Sequence, residues 1–229
     1  NELRSPGQTL DEGCIYDSNR YTMSAMLSRL PVDIIDFGVA ADNPRTLDVV
    51  FKNAASKVDL IITSGGVSVG ESDFTKQVMK SLGSIEFWKI AMRPGRPMAV
   101  GTIKKSNETN TKQTIVFGLP GNPVAVMVTF LKLVRPIVRL LSGASELDQN
   151  LYQIPARFNF IKKPGRREWL RCRLEKDGDG HPCAIKYPDD GSGILRSMVA
   201  SDGLVELAED SAGVTRGQLV DFLPFNEVM

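Results

Sequence analysis

Val58–Phe74 reads VDLIITSGGVSVGESDF: an apolar, β-branched run that stops at two glycines, a third glycine four residues on, then an acidic turn. Residues 58–64 have the length and composition of a buried strand. Gly65, Gly66 and Gly70 punctuate it, and "SDFTKQVMKSLG" (72–83) follows at helical spacing, with Ser72 or Asp73 as cap and Gly83 as stop. This strand–loop–helix unit sets the reading of its neighbours.

Upstream, "NRYTMSAMLSRL" (19–30) places Met23, Met26, Leu27 and Leu30 on one helical face, with Asn19 as N-cap. "VDIIDFGV" (32–39) reads as a second buried strand. "NPRTLDVVFKNAASK" (43–57) reads as a helix with Asn43 as cap and Pro44 in its first turn. Downstream, the strands "IEFWKIAM" (85–92) and "PMAVGTI" (97–103) flank "RPGRP" (93–97). The polar connector "KKSNETNTKQ" (104–113) then leads to the strand "TIVFGL" (114–119). "GNPVAVMVTFLKLVRPIVRLLSG" (121–143) is an apolar helix that Pro136 should kink. Such alternation predicts an α/β three-layer sandwich with a mostly parallel sheet, with ligands beyond the carboxyl ends of its strands. After residue 147 the texture changes to short alternating segments such as "EWLRCRLE" (168–175) and "GQLVDFLP" (217–224), which predict a small C-terminal β-barrel or sandwich. The expected domains are therefore 1–146 and 147–229.

Composition narrows the chemistry. In 229 residues, 28 Lys and Arg meet 27 Asp and Glu, so no basic field points to nucleic acid or a membrane surface. The longest apolar stretch, Pro123–Val134, is interrupted by Lys132 and falls short of the roughly 20 residues a bilayer requires. Cys14, Cys172 and Cys183 are scattered without metal or disulfide spacing, as in a reduced cytoplasmic protein. His181 is the only histidine and sits in the turn-like "DGDGHP", which argues against a Ser-His-Asp triad or a histidine-based metal site and leaves the chemistry to carboxylates, cations and backbone amides. The opening Asn1-Glu2-Leu3 reads as the middle of a strand, as expected of a fragment or processed chain.

Three loops follow predicted strand ends: "GVAADNP" (38–44), "SGGVSVGESD" (64–73) and "GLPGNP" (118–123). The glycines of the second let amides approach an anion, and the following helix start adds a positive dipole end. Neither a GxxxxGK[ST] nor a GxGxxG motif is present, and on local sequence alone an ordinary packing turn is the plainer alternative. In "RPGRP", Arg93 and Arg96 on a stiffened turn suit an oxyanion, with Lys89 nearby; a solvated edge is the plainer alternative. Pro120–Pro123 opens a helix whose amides would welcome an anion. Asp17 and Asp42 stand at strand-to-helix junctions, either as caps or, beside anion loops, as ligands of a divalent cation. "KKPGRREW" (162–169) reads as a basic, solvated hairpin.

Taken in order, "SGGVSVGESDF", "FWKIAMRPGRPMAVG" and "FGLPGNPVAVMVTF" resemble the molybdopterin molybdenumtransferase family (MoeA type), whose unit also forms the E domain of gephyrin. The likeness covers the whole chain, and "GGVSVG" stands where the related molybdopterin adenylyltransferases carry "GGTG". The resemblance implies Mg2+-dependent insertion of molybdate into adenylylated molybdopterin (molybdopterin-AMP), with AMP released. It implies that Glu2, Asp42 and Asp73 serve the metal. It further implies catalytic parts for Asp73, Asp42, Lys89, Arg93 and Arg96, the two arginines standing where many members have lysine. Ser64, Gly65, Gly66, Val67, Ser68, Gly70, Pro120, Gly121, Asn122 and Pro123 would bind molybdopterin-AMP. The family builds its cleft with the elongated lobe of a homodimer partner, and molybdopterin adenylyltransferase is its upstream partner. This chain carries the sheet domain and C-terminal barrel without that lobe. An adenylyltransferase-like domain and a non-catalytic dimeric scaffold that binds peptides are the alternatives.

Overall fold

The computed structural model describes residues 2–66, 74–105 and 113–229. Its contacts divide the chain into two compact units: residues 1–89 with 97–122, and residues 90–96 with 123–229.

In the first unit, β1 (Leu3–Arg4) pairs in parallel with β2 (Ile15–Tyr16). Helix α1 (Asn19–Leu27) begins at Asn19 itself, so Asn19 is not its N-cap. That position is Ser18, which makes no side-chain cap; instead the Arg20 N–H donates to the buried Asp17 Oδ1 at 3.2 Å. Helix α2 (Pro44–Lys57) follows its sequence signature, with Asn43 Oδ1 accepting from the Thr46 N–H at 2.9 Å and Pro44 in the first turn. Its Leu47, Phe51 and Ala55, at helical spacing, face the core.

The expected strand over Val32–Val39 does not form: the segment joins no sheet, and Ile34, Ile35 and Val39 are exposed. The reason is local polar closure. Asp36 accepts from the Gly38 N–H at 2.8 Å and pairs with Arg20 at 2.7 Å, which diverts the backbone from a ladder in mid-segment.

The sheet contains β3 (Leu60–Ser64), β4 (Gly83–Lys89), β6 (Pro97–Lys104) and β7 (Gln113–Leu119); the intervening β5 (Met92–Arg93) belongs to the second unit. The order is β3-β7-β6-β4. Only β3 and β7 run parallel; β7–β6 and β6–β4 are antiparallel, so the sheet is mixed rather than mostly parallel. Helix α3 (Phe74–Leu82) contributes Val78 and Met79 to the core shared with α2 and the sheet. Gly83 is not a left-handed helix stop but the first residue of β4. A Cβ there would lie 1.9 Å from the Thr102 carbonyl oxygen, so close strand approach requires glycine.

In the second unit, α4 (Pro123–Thr129) widens into a π-helical turn over Phe130–Val134 before α5 (Arg135–Leu141). The Arg135 N–H reaches back to the Phe130 carbonyl, and the bulge falls immediately before Pro136, which has no N–H and would crowd the turn behind it. The five-strand path β11-β10-β12-β14-β8 comprises β8 (Tyr152–Pro155), β10 (Arg167–Lys176), β11 (Pro182–Lys186), β12 (Gly203–Leu207) and β14 (Leu219–Pro224). These ladders are antiparallel, and β5 adds to β10 in parallel. Helix α6 (Arg196–Val199) precedes β12, and β9 (Phe160–Ile161) pairs with β13 (Gly213–Val214). A single parallel bridge, Ala156 to Ala184, joins the chain just beyond β8 to β11. Leu170, Val205 and Phe222 lie in the core of this unit. No helix among the described residues is long and apolar enough to cross a membrane.

Candidate functional site

Two of the singled-out loops leave the same end of the first unit's sheet, because β3 and β7 are parallel neighbours in register, Ser64 opposite Leu119. The Gly65 N–H donates to the Leu119 carbonyl at 3.1 Å, which holds the start of the glycine loop against the end of β7. Gly65 and Gly66 both adopt positive φ, +79° and +66°. At Gly66 a Cβ would also lie 2.5 Å from Thr75 Oγ1, so both conformation and space call for glycine there. Beyond β7, Pro120 is buried while Gly121 and Asn122 are exposed, and a Cβ on Gly121 would come within 3.9 Å of the Gly65 Cα. Ser64, Gly65, Gly66, Pro120, Gly121 and Asn122 are thus brought together at the strand ends. Val67, Ser68, Gly70 and Asp73 lie outside the described residues.

Asn19 has the sequence position of a cap, yet its Nδ2 donates to the Gly121 carbonyl at 2.6 Å, from 102 residues away in sequence. Its Oδ1 is buried and has no hydrogen-bond partner among the described residues. No local pattern distinguishes such an asparagine from a cap, because its partner is set by the tertiary fold.

The carboxylates Glu2 and Asp42 are both at the surface, Asp42 immediately before the Asn43 cap of α2. Their hard oxygen donors fit Mg2+. They form no cluster with other described carboxylates. Asp177, Asp179 and His181, a trio in a turn of the second unit, are the group of metal-ligand type that does.

The basic residues divide between the units. Lys89 ends β4 and is exposed. In the second unit Arg93, on β5, lies 3.6 Å from Glu168, whose side chain is only 4% exposed. Sequence reasoning passed over Glu168 in the "KKPGRREW" stretch; it lies on β10, and the β5–β10 pairing sets it opposite Arg93. Arg96 is exposed and makes no ion pair among the described residues. The same turn departs from a solvated hairpin at Lys162, which is buried and donates to the carbonyls of Glu209 at 3.1 Å and Ser211 at 3.0 Å. The opening of α4 offers fewer amides than expected. Pro123 has no N–H, and the Val124 N–H donates to the Ser192 carbonyl at 3.0 Å.

The three thiols are free. Burial pushes the Cys172 thiol up to about 12, which leaves almost no thiolate at neutral pH. Cys183 is buried as well and donates to the Glu175 carbonyl at 3.3 Å, whereas Cys14 is partly exposed. Titration with a disulfide reagent at neutral pH should therefore modify Cys14 first and reach Cys172 and Cys183 only on unfolding; rapid labelling of all three would contradict this.

An α/β unit with glycine-rich loops at the ends of adjacent parallel strands, joined to a β-rich unit, is a ligand-binding architecture. Residues 4–140 match the family model described as a probable molybdopterin binding domain, and residues 153–225 match the C-terminal region (domain IV) of MoeA. The chain belongs to this molybdopterin-binding domain family. It is 36% identical over 229 residues to a molybdopterin molybdenumtransferase of Haemophilus influenzae, covering all of this chain and 55% of the relative. It is 29% identical to gephyrin of Dictyostelium discoideum, covering 96% of this chain and 34% of gephyrin. A crystal structure of the molybdopterin biosynthesis MoeA protein of Pyrococcus horikoshii superposes with a TM-score of 0.80 at 29% identity, over 98% of this chain and 52% of that one. The chain spans about half the length of these enzyme relatives.

Proposed function

We propose that the full-length protein inserts molybdate into adenylylated molybdopterin, with release of AMP, in molybdenum cofactor biosynthesis. The observation that carries this reading is the pairing of the Gly65–Gly66 and Pro120–Asn122 loops at the ends of β3 and β7 in a molybdopterin-binding sheet domain. Backbone amides and positive-φ glycines at such a point suit the phosphates and polar ring of that substrate. With them the reading takes Ser64, Val67, Ser68, Gly70 and Pro123.

Glu2, Asp42 and Asp73 would hold Mg2+, which when bound polarises a phosphoanhydride and screens its charge. Lys89, Arg93 and Arg96 offer positive charge to the molybdate dianion. Because Glu168 offsets much of the Arg93 charge, Arg96 and Lys89 carry more of that attraction. A homodimer and an upstream adenylyltransferase that supplies the substrate belong to the same reading, as does a cytoplasmic location. So does an organisation of a three-layer sheet domain up to about residue 147 followed by a barrel, which the Ala156–Ala184 bridge favours.

The test is made on the full-length protein, by titrating molybdopterin-AMP with and without Mg2+ and then adding molybdate. Mg2+-dependent binding followed by stoichiometric AMP release is the expected result. Adenylylation of molybdopterin from ATP, or binding indifferent to Mg2+ with no AMP release, would overturn the assignment.

A further inference from the structure

Among the described residues, Asn19 is one of two with a buried side-chain polar atom that lacks a hydrogen-bond partner. An asparagine at a helix start ordinarily serves as its cap, with Oδ1 accepting from a first-turn amide. Here Asn19 lies within the first turn rather than at the cap, the Arg20 N–H of that turn is taken by Asp17, and the buried Asn19 Oδ1 has no partner among the described residues. What the side chain does instead is reach across the unit and donate to the Gly121 carbonyl at 2.6 Å. A trans peptide is planar with its C=O and N–H opposed, so fixing the Gly121 oxygen toward Asn19 turns the Asn122 N–H the other way. Gly121 in turn lies beside Gly65, whose own N–H is tied to Leu119, so the carbonyl that Asn19 holds belongs to the segment next to the glycine loop.

We propose that Asn19 is a positioning residue for the binding of adenylylated molybdopterin: its amide sets the direction of the Gly121–Asn122 peptide and, through Gly121, the seat of Gly65. The inference rests on reading these loops as the molybdopterin-AMP loops. It separates Asn19 from the molybdate-attracting cations, because its side-chain hydrogen bond among the described residues goes to Gly121 and not to Lys89, Arg93 or Arg96.

The experiment compares wild type, Asn19→Ala and the isosteric Asn19→Asp in the full-length protein, measuring Kd for molybdopterin-AMP, KM for molybdate and melting temperature. The aspartate variant would keep the shape but lose the donor and set a carboxylate against a carbonyl. Both variants should weaken molybdopterin-AMP by about tenfold, the scale of one lost hydrogen bond, with KM for molybdate unchanged. Should the alanine variant lose more than about 5 °C in melting temperature, the aspartate variant decides by the same split. Variants that bind molybdopterin-AMP as wild type does, or that weaken molybdate equally, would refute the positioning role. A wild type that does not bind molybdopterin-AMP at all would instead refute the reading of the loops.

Discussion

Asp73→Asn in the full-length protein is expected to abolish molybdate insertion while leaving the protein folded. Asp73 immediately precedes Phe74, the first residue of α3, in a glycine-rich sequence of the kind that, before a helix start, favours an anion. A carboxylate beside a phosphate cradle repels the ligand that the cradle attracts. That conflict is relieved if a cation stands between them, and so the acid, rather than the glycines, makes this loop a candidate metal-assisted site. The plainer alternative is that Asp73 only caps α3. Asparagine caps a helix as well as aspartate does, so Asp73→Asn removes charge and keeps the cap. If capping is the whole role, both stability and activity stay within about 0.5 kcal/mol of wild type.

Loss of a residue that merely supports a metal ligand commonly lowers metal affinity or activity by roughly 10–100-fold, so losing a ligand itself should reach at least about 100-fold. The measurement is AMP release with molybdopterin-AMP and molybdate across a Mg2+ series, alongside a thermal melt. Unchanged melting with activity lost at all Mg2+ concentrations is the expected result, and Asp42→Asn should follow it. Normal insertion by Asp73→Asn would remove the metal-assisted reading of the loop.

How much of this was legible in the sequence depended on how local each determinant is. The α2 start was legible because Asn43 and Pro44 act within one turn. The β3–β7 strands and their loops were legible because each reads as an apolar run punctuated by glycine, although β3 itself is only half-buried. The sheet's direction of pairing was misjudged, although the signal existed: no helix lies in the seven-residue gap (90–96) between β4 and β6, and a parallel crossover needs about a dozen residues or more. The 32–39 segment has strand composition, but Asp36 pairs with Arg20 from outside it, which composition does not reveal. Asn19 and Glu168 were missed for the same reason. Each looks ordinary among its neighbours, and its partner arrives from 102 residues away in one case and from 75 in the other.

The largest stability effect is expected at Glu206, another residue with no local signature. Its carboxylate, 9% exposed, sits 2.8 Å from Lys132 Nζ and 2.8 Å from Arg167 Nη1, and accepts from Trp169 Nε1 at 2.9 Å. Lys132 rises from the π-helical turn, donates also to Gln149 at 2.9 Å, and lies over the Trp169 ring at 5.7 Å. Burial works against ionisation of Glu206, but the hydrogen bonds and charges of Lys132, then Trp169 and Arg167, outweigh it and hold the carboxyl below its usual range.

Removing one partner of a buried ion pair leaves the other charge uncompensated, which typically costs about 3–5 kcal/mol, so Glu206→Gln should destabilise the protein by about 3 kcal/mol at neutral pH. Replacing both partners avoids the stranded charge: Lys132→Met with Glu206→Gln should lose less than the sum of the single variants. A carboxyl lowered on folding contributes stability that is present above its ordinary value, near about 4.3, and is lost as pH falls through its lower folded value. The gap between wild type and Glu206→Gln, read by urea unfolding, should therefore be constant from about pH 5 to 7 and close progressively below about pH 4.3. A neutral-pH difference under about 1 kcal/mol, the range of an exposed pair, would show that the network is no stronger than a surface salt bridge. A difference independent of acid pH would show that the charge of Glu206 is not what holds it together.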